Sequence, residues 1–538
     1  MRSERAAAIM HASFRPAGSM ASEPLGFASR DERSLDSDEV IPLETRTVVA
    51  FVGRTERGPL NEPIAIKSFD HYRRVFGGHC TFSFVSLAVQ HFFLHGGEAA
   101  VVVRVANRAS RALLEVPAGA EVLKLQARQP GSRELLRVSV DYDRVEKDPE
   151  RFNLVVQRLG RPGSQLVDDQ ELFEGLSMNP SVERFVVDAL HESELVRLVG
   201  PLPLARPDAT RPVRPGEPIP YLAATVPGTD GDELTDYDVI GSNSEGTGIF
   251  ALDRCEQIDL LCIPSPPGRD LGSTSFVAAT RYCERRRALL VWDPPWSWSS
   301  PSAALLGIRT SARASRHALT YFPRVRPRGD LGRYKDGIPA SGVVAGLLAH
   351  CDRRGVWHSL PADEASLKGN LVPLLDVEAP HALALQRSGV NAFVRTQPGV
   401  VALQGDASFA TLTSAESRWR RLSVERLTSF VLRSIEHYTR WVFAAPRREE
   451  LATDLERQVW IFLARLQQRK VLAGRTPEQG FFVRTTPPRT EPNGVAITMR
   501  IGFAPERPNE LLTYDFRFRE PTMTTEVVPV PGAERRLG

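Results

Sequence analysis

The sequence predicts a protein of mixed class: a doubly wound α/β domain interrupted by a β-rich insertion, then a C-terminal α+β domain. Three observations predict it. Apolar strand-like runs alternate with helix-like segments over 46–105 and again over 221–369, the rhythm of a parallel sheet with crossover helices. Between them, 106–220 carries short alternating runs broken by polar turns, as antiparallel strands do. After 370, two long amphipathic stretches of helical period precede two strictly alternating ones. A chain of 538 residues is also long for a single hydrophobic core.

The elements follow in order. Residues 1–45 have no apolar period and read as a flexible arm. The run TVVAFVG at 47–53 is a buried strand ended by glycine, and 99–105 is a second. Between them lie an extended piece at 63–68, a short helix at 69–76 and a longer helical stretch at 82–93 that stops at Gly96 and Gly97. In the insertion, 122–127, 136–140 and 152–157 alternate as strands, and the proline-dense 201–220 reads as a linker. Strands are expected at 258–263, 288–292 and 317–322, with helices at 274–286 and 340–351. In the last domain, Leu427, Val431, Ile435, Tyr438 and Val442 form the apolar stripe of helix 423–443. Leu451, Leu455, Val459, Phe462 and Leu466 do the same for the next helix. Val495, Ile497, Met499, Ile501 and Phe503 then alternate with other residues, as do Leu512, Tyr514, Phe516 and Phe518. Both read as half-buried strands, and 520–538 as an extended arm.

Composition excludes several classes. A net charge of +3 is far below the basic excess that phosphate contacts demand, so no nucleic-acid partner is expected. The five cysteines, at 80, 255, 262, 283 and 351, are scattered without a C-x-x-C pair, which argues against a disulfide scaffold or a zinc knuckle. No apolar run approaches the roughly 20 residues that span a bilayer, and the N-terminus lacks the apolar core of a secretory signal. Assembly in the cytoplasm and no direct membrane insertion are the expectations.

Motifs for chemistry are weak. His91 and His95 have the i, i+4 spacing of metal ligands, but no third ligand stands nearby; no metal and no cofactor are expected. GSTSFVA at 272–278 and SGVVAG at 341–346 superficially resemble the serine and histidine stretches of subtilisin-type proteases. Valine stands where the second stretch would need histidine. A nucleophilic serine requires a base and an orienting carboxylate, so Ser273 or Thr274 is better read as a helix cap. No catalytic residue is assigned. A serine hydrolase, with Ser275 or Ser341 as nucleophile, is the alternative from another class.

Four groups of strings carry a family resemblance. They are VVAFVGRTERGP at 48–59 with FGG at 76–78 and FFLHGG at 92–97; GTDG at 228–231 with GIFAL at 248–252 and LCIP at 261–264; YFP at 321–323 with IPASGVVAG at 338–346 and RGVW at 354–357; and GVN at 389–391 followed by PG at 398–399, VERL at 424–427, WVF at 441–443, FFV at 481–483 and IGFAP at 501–505. In this order they resemble the contractile tail sheath family of phage tails and extracellular injection particles, whose main domain is called subtilisin-like. The insertion, through LKLQARQPG at 123–131 and FEGLSM at 173–178, resembles the extra domain of injection-particle sheaths. Two departures stand out. Residues 1–45 lack the family's opening strand, and LQGDASF occupies 403–409 where the family usually reads Trp-Gly-Ala-Arg-Thr-Leu. A baseplate-proximal or terminal paralogue, or a cap, is therefore the alternative to the bulk sheath.

The resemblance implies a non-enzymatic subunit of a phage tail or released tail-like particle. It would polymerise helically with its own copies around an inner tube protein, between baseplate and terminator or cap proteins. It also implies that terminal arms lend strands to neighbours' C-terminal sheets by β-augmentation. Candidates here are the two alternating strands 495–503 and 512–518, the tail after them and a strand within 40–47. On helix 423–443, Arg426, Arg433, His437 and Arg440 fall opposite the apolar stripe. They are the candidate contact to an acidic tube surface, or simply a solvated face.

Overall fold

A computed structural model describes residues 40–145, 148–210, 220–310, 315–329, 332–359, 364–397, 400–409, 421–443, 450–486, 489–491, 494–519 and 524–530. The arm as far as 39, the 211–219 part of the expected linker, the glycine-proline pair at 398–399 and residues 531–538 lie outside these.

The body is built on a six-stranded sheet. Its order is Ala318–Leu319, Leu289–Val291, Leu260–Cys262, Val49–Gly53, Ala100–Arg104 and Pro63–Ile66, parallel throughout except for the last strand. All five residues of Val49–Gly53 are buried, because helices cover both faces; this is why the strand reads as a continuous apolar run. Ala50 and Val52 face one core with helix Ser273–Arg286, while Val49 and Phe51 face the other with helices Val85–Leu94 and Ser341–Cys351. The last two helices approach closely. A Cβ on Gly342 would stand 2.0 Å from the Ala88 carbonyl oxygen, and one on Gly346 2.5 Å from that of Phe92. The string SGVVAG is thus a helix-packing motif.

Two local expectations change. The run 317–322 is not one strand: Ala318–Leu319 ends the body sheet, whereas Tyr321–Phe322 pairs with Asn391–Gln397 in a separate three-stranded sheet. Asn391 holds the break, donating from its backbone to Thr320 O at 3.0 Å and from Nδ2 to Ala407 O at 2.8 Å. Nor does Ser273 or Thr274 cap helix Ser273–Arg286. Gly272 is the N-cap, and the Asp236 carboxylate accepts from its N–H at 2.9 Å. A Cβ at Gly272 would meet Asp236 Oδ2 at 2.2 Å. The cap comes from 36 residues upstream, beyond the reach of a local motif.

The insertion packs a three-stranded sheet (Arg111–Ala118, Glu121–Pro130, Val196–Leu198) against a four-stranded one (Leu222–Ala223, Leu136–Asp141, Arg151–Leu159, Val167–Ser177) around its own core. Burial alternates along Arg111–Ala118 as the sequence pattern does. Residues 201–210 are not a free linker. Asp208 N–H bonds Pro117 O at 2.7 Å, Tyr142 Oη bonds Pro207 O at 2.8 Å, and the Arg206 guanidinium lies 3.7 Å from the Tyr142 ring centre.

Helices Leu422–Tyr438 and Leu451–Gln468 bury their apolar stripes against a sheet ordered Phe481–Thr485, Gly494–Phe503, Leu512–Arg519, Thr524–Pro529, with Arg489–Glu491 beside Gly494–Phe503. Together they enclose the C-terminal core.

Candidate functional site

Two surfaces of the C-terminal domain hold the residues singled out from the sequence. The first is its sheet. Gly494–Phe503 is paired on one side with Phe481–Thr485 and Arg489–Glu491, and on the other with Leu512–Arg519. Leu512–Arg519 is paired in turn with Thr524–Pro529. Both strands chosen from the alternation are therefore interior, with main-chain groups satisfied on both sides. Ile497, Met499, Ile501, Phe503, Leu512, Tyr514, Phe516 and Phe518 are core side chains; Val495 pairs with Thr490. The alternation marks which face is buried and is silent on which edge is open.

The sheet edges are Phe481–Thr485 with the short Arg489–Glu491 on one side and the tail strand Thr524–Pro529 on the other. The tail strand is held by six register pairs, or about six main-chain hydrogen bonds, each net about 0.5–1.5 kcal/mol. Beyond the ladder, Val527 packs against the C-terminal core, and Val530 N–H, just past the strand, bonds Thr513 O at 2.9 Å. Its residues are exposed or half-buried, and Glu526 meets Arg517 and Arg519 at 3.7 and 3.3 Å as exposed pairs, which contribute little.

Residues 40–47 do not form the expected strand. They are an extended strap. Ile41 and Leu43 are buried in the C-terminal core, and Ile41 O accepts from Arg465 Nη1 at 2.9 Å. Thr45 and Thr47 donate to the backbone and carboxylate of Asp352, and Val48 N–H donates to Asp259 Oδ2 at 2.7 Å. Residues 40–45 therefore do not belong with a flexible arm.

The second surface is the polar face of helix Leu422–Tyr438, which lies against the body. Arg426 is buried and paired with Asp352, and Arg433 is paired with Asp259 while also donating to Ile258 O at 3.2 Å. His437 Nδ1 stands 3.1 Å from Glu256, and Glu436 accepts from Arg287 at 3.1 Å. Glu425 is fully buried, 3.7 Å from Arg316 and 3.3 Å from His317. Burial pushes Glu425 up to about 7, Arg316 opposing, and holds His317 down to about 3; the imidazole is neutral and its contact to Glu425 is not an ion pair. Burial also raises Asp352, with Arg426 opposing. Of the four residues named for the tube, Arg426 and Arg433 sit in an ionic seam between body and C-terminal domain. His437 is half-buried at the seam's end, and Arg440 alone is exposed. The helical period reveals a polar face; it cannot tell water from an oppositely charged neighbour. The carboxylates that complete the seam lie at 256, 259 and 352, too far away in sequence to be matched to the helix by spacing.

The residues weighed for chemistry have structural settings. Ser341 donates from N–H and Oγ to the two Asp293 oxygens, each at 2.9 Å. Burial pushes Asp293 up to about 6 while these bonds oppose the shift. Ser275 Oγ is buried without a hydrogen bond. Neither serine hydrogen-bonds an imidazole among the described residues. His95 uses both ring nitrogens, Nδ1 with His91 O at 2.7 Å and Nε2 accepting from Lys368 N–H at 3.0 Å. Burial brings both histidines down to about 4.

No family model and no curated protein matches the chain. Solved structures do. A sheath tail protein of Listeria innocua superposes with a TM-score of 0.60 at 12% identity, over 88% of this chain and 96% of that one. A sheath tail protein of Desulfitobacterium hafniense gives 0.51 at 14% identity, over 89% and 97%. The helical sheath of the anti-feeding prophage in its contracted state gives 0.50 at 16% identity, over 88% and 93%. The chain described here has the fold of the sheath tail proteins.

Proposed function

We propose that this protein is a structural subunit of a contractile tail sheath, polymerising helically around an inner tube and contracting to drive that tube through a target envelope. The fold likeness carries the reading, because it extends over nearly the whole chain and takes in the C-terminal domain. The body sheet with helices on both faces supports a doubly wound, subtilisin-like core assembled from 46–105 and 221–369. The insertion divides these segments; the described residues of 371–409 pack into the two cores of the body, so we draw the C-terminal domain from helix Leu422–Tyr438 onward rather than from 370. The partners are further copies of the chain, the inner tube protein, and baseplate and terminator or cap proteins. The setting is a phage tail or a tail-like particle assembled in the cytoplasm. No catalytic role is assigned, since among the described residues neither Ser275 nor Ser341 is hydrogen-bonded to the base that nucleophilic catalysis requires.

Strand exchange would run through the edges of the C-terminal sheet. The tail strand Thr524–Pro529 is the donor: it can leave its own sheet at the cost of a short ladder and pair with the same edge of a neighbour. Such heterologous contacts generate helical arrays. Arg440 and His437, at the end of the seam, are the candidates left for a tube contact.

Negative-stain microscopy of the purified chain, with and without its tube protein, tests the assignment. Long hollow cylinders are expected. Rings or monomers alone would favour a cap, and specific labelling by a serine-directed probe that is lost in Ser275→Ala or Ser341→Ala would overturn the structural reading.

A further inference from the structure

A cleft of about 960 Å³ opens where the body meets the insertion. Its walls come from the loop after Val49–Gly53, from helix Phe69–Phe76 with Gly77 and Gly78 behind it, and from the insertion at Arg133 and around the 160–168 turn. Five arginines, at 57, 73, 74, 133 and 161, face three carboxylates, Glu56, Asp70 and Asp168. Arg57 is matched by Asp168 and Arg133 by Glu56 at 2.7 Å, while Arg73 stands loosely 3.6 Å from Asp70. Arg74 and Arg161 are exposed and meet no carboxylate among the described residues. Surplus guanidinium groups beside glycine backbone fit an extended, carboxylate-rich peptide, which they can hold by charge-assisted hydrogen bonds.

The chain carries such a segment. Residues 31–39, DERSLDSDE, hold five carboxylates against one arginine and immediately precede the strap. The strap leaves the body at the start of strand Val49–Gly53 and crosses Asp352 to reach Ile41 in the C-terminal core. The cleft lies beyond Gly53, at the other end of that strand. The described chain, followed from strand Val49–Gly53 back to residue 40, thus runs away from the cleft of its own subunit. We propose that residues 31–39 of one subunit dock in the basic cleft between body and insertion of a second copy. This contact is separate from strand exchange at the C-terminal sheet, and it rests on the polymerising role proposed above.

The test uses the full-length chain with a photo-crosslinking phenylalanine analogue in place of Arg161, assembled from unlabelled and nitrogen-15-labelled subunits in equal amounts. Irradiated samples are digested and mapped by mass spectrometry. The expected adduct joins position 161 of one label to the 28–41 region of the other, and its yield falls about tenfold between low salt and 1 M salt. The triple change Asp31→Lys, Asp36→Lys and Asp38→Lys lowers the yield by a similar factor. Adducts confined to one label, adducts mapping elsewhere, or a yield unchanged by the charge reversal overturn the docking. Micrographs of the same samples read the polymerising role separately. Cylinders without the adduct overturn the docking and leave the sheath reading standing; neither cylinders nor adduct overturns both.

Discussion

Replacing Arg426 by alanine is expected to loosen the seam between body and C-terminal domain more than any other single change there. The side chains of Arg426 and Asp352 are only 6% and 1% exposed. Once the guanidinium is gone, Thr47 is the remaining side-chain donor to the Asp352 carboxylate among the described residues, and Oδ1 has no hydrogen-bond partner among them. Removing one partner of a buried pair costs about 3–5 kcal/mol, because the other charge stays buried and uncompensated. That corresponds to roughly two to three and a half powers of ten in an opening equilibrium. Hydrogen exchange at the amides of Leu422–Tyr438 reads this opening directly. Removing both charges together, Arg426→Met with Asp352→Leu, should cost less than either single change, since nothing charged is left stranded. A protection loss below about tenfold for Arg426→Ala, or a double change as costly as the two singles combined, would refute the reasoning.

Three further outcomes are expected. Glu425, raised by burial from 4.5 to about 7, favours the folded state while protonated. Its contribution is full below about pH 4.5 and is lost as pH rises through about 7, a swing on the order of 3 kcal/mol; Glu425→Gln should remove that part of the slope in denaturation midpoints measured across pH 4–8. Gly342→Ala would set a Cβ 2.0 Å from the Ala88 carbonyl, so helices Val85–Leu94 and Ser341–Cys351 must move apart; a loss of about 1–3 kcal/mol or more is expected by chemical denaturation. Truncation after Arg519 should leave a folded monomer by circular dichroism while abolishing cylinders in micrographs. Cylinders of undiminished length from the truncated chain would exclude the tail strand as the donor.

Much of the architecture was legible because burial writes a period into each element. Val49–Gly53 reads as a two-sided core strand, and Leu427, Val431 and Ile435 read as one stripe, since each pattern records what a side chain touches. What stayed hidden depends on partners distant in sequence. Asp236 caps a helix that local spacing assigned to Ser273 or Thr274. Asp352 and Asp259 take up Arg426 and Arg433, which the period alone placed toward solvent or tube. Residues 40–47, where the family resemblance implied a strand, make no ladder; Ile41 and Leu43 are instead buried in the C-terminal core beside helix Leu451–Gln468. The same holds for the alternating strands 495–503 and 512–518. Their faces could be read, but the order of strands in the sheet, which decides where an edge lies open, is a property of the whole domain.

The strap also has a mechanical consequence. It is anchored at both ends: Ile41 and Leu43 lie in the C-terminal core, while Val48 bonds Asp259 at the head of the body's central strand. Tension applied to the chain before residue 40 is therefore divided between the C-terminal domain and the body and enters along the strap rather than at a sheet edge. The load meets buried side chains and the doubly bonded Asp352 before it reaches any strand ladder. A pull on the N-terminus is therefore shared by the body and the C-terminal domain through one short strap.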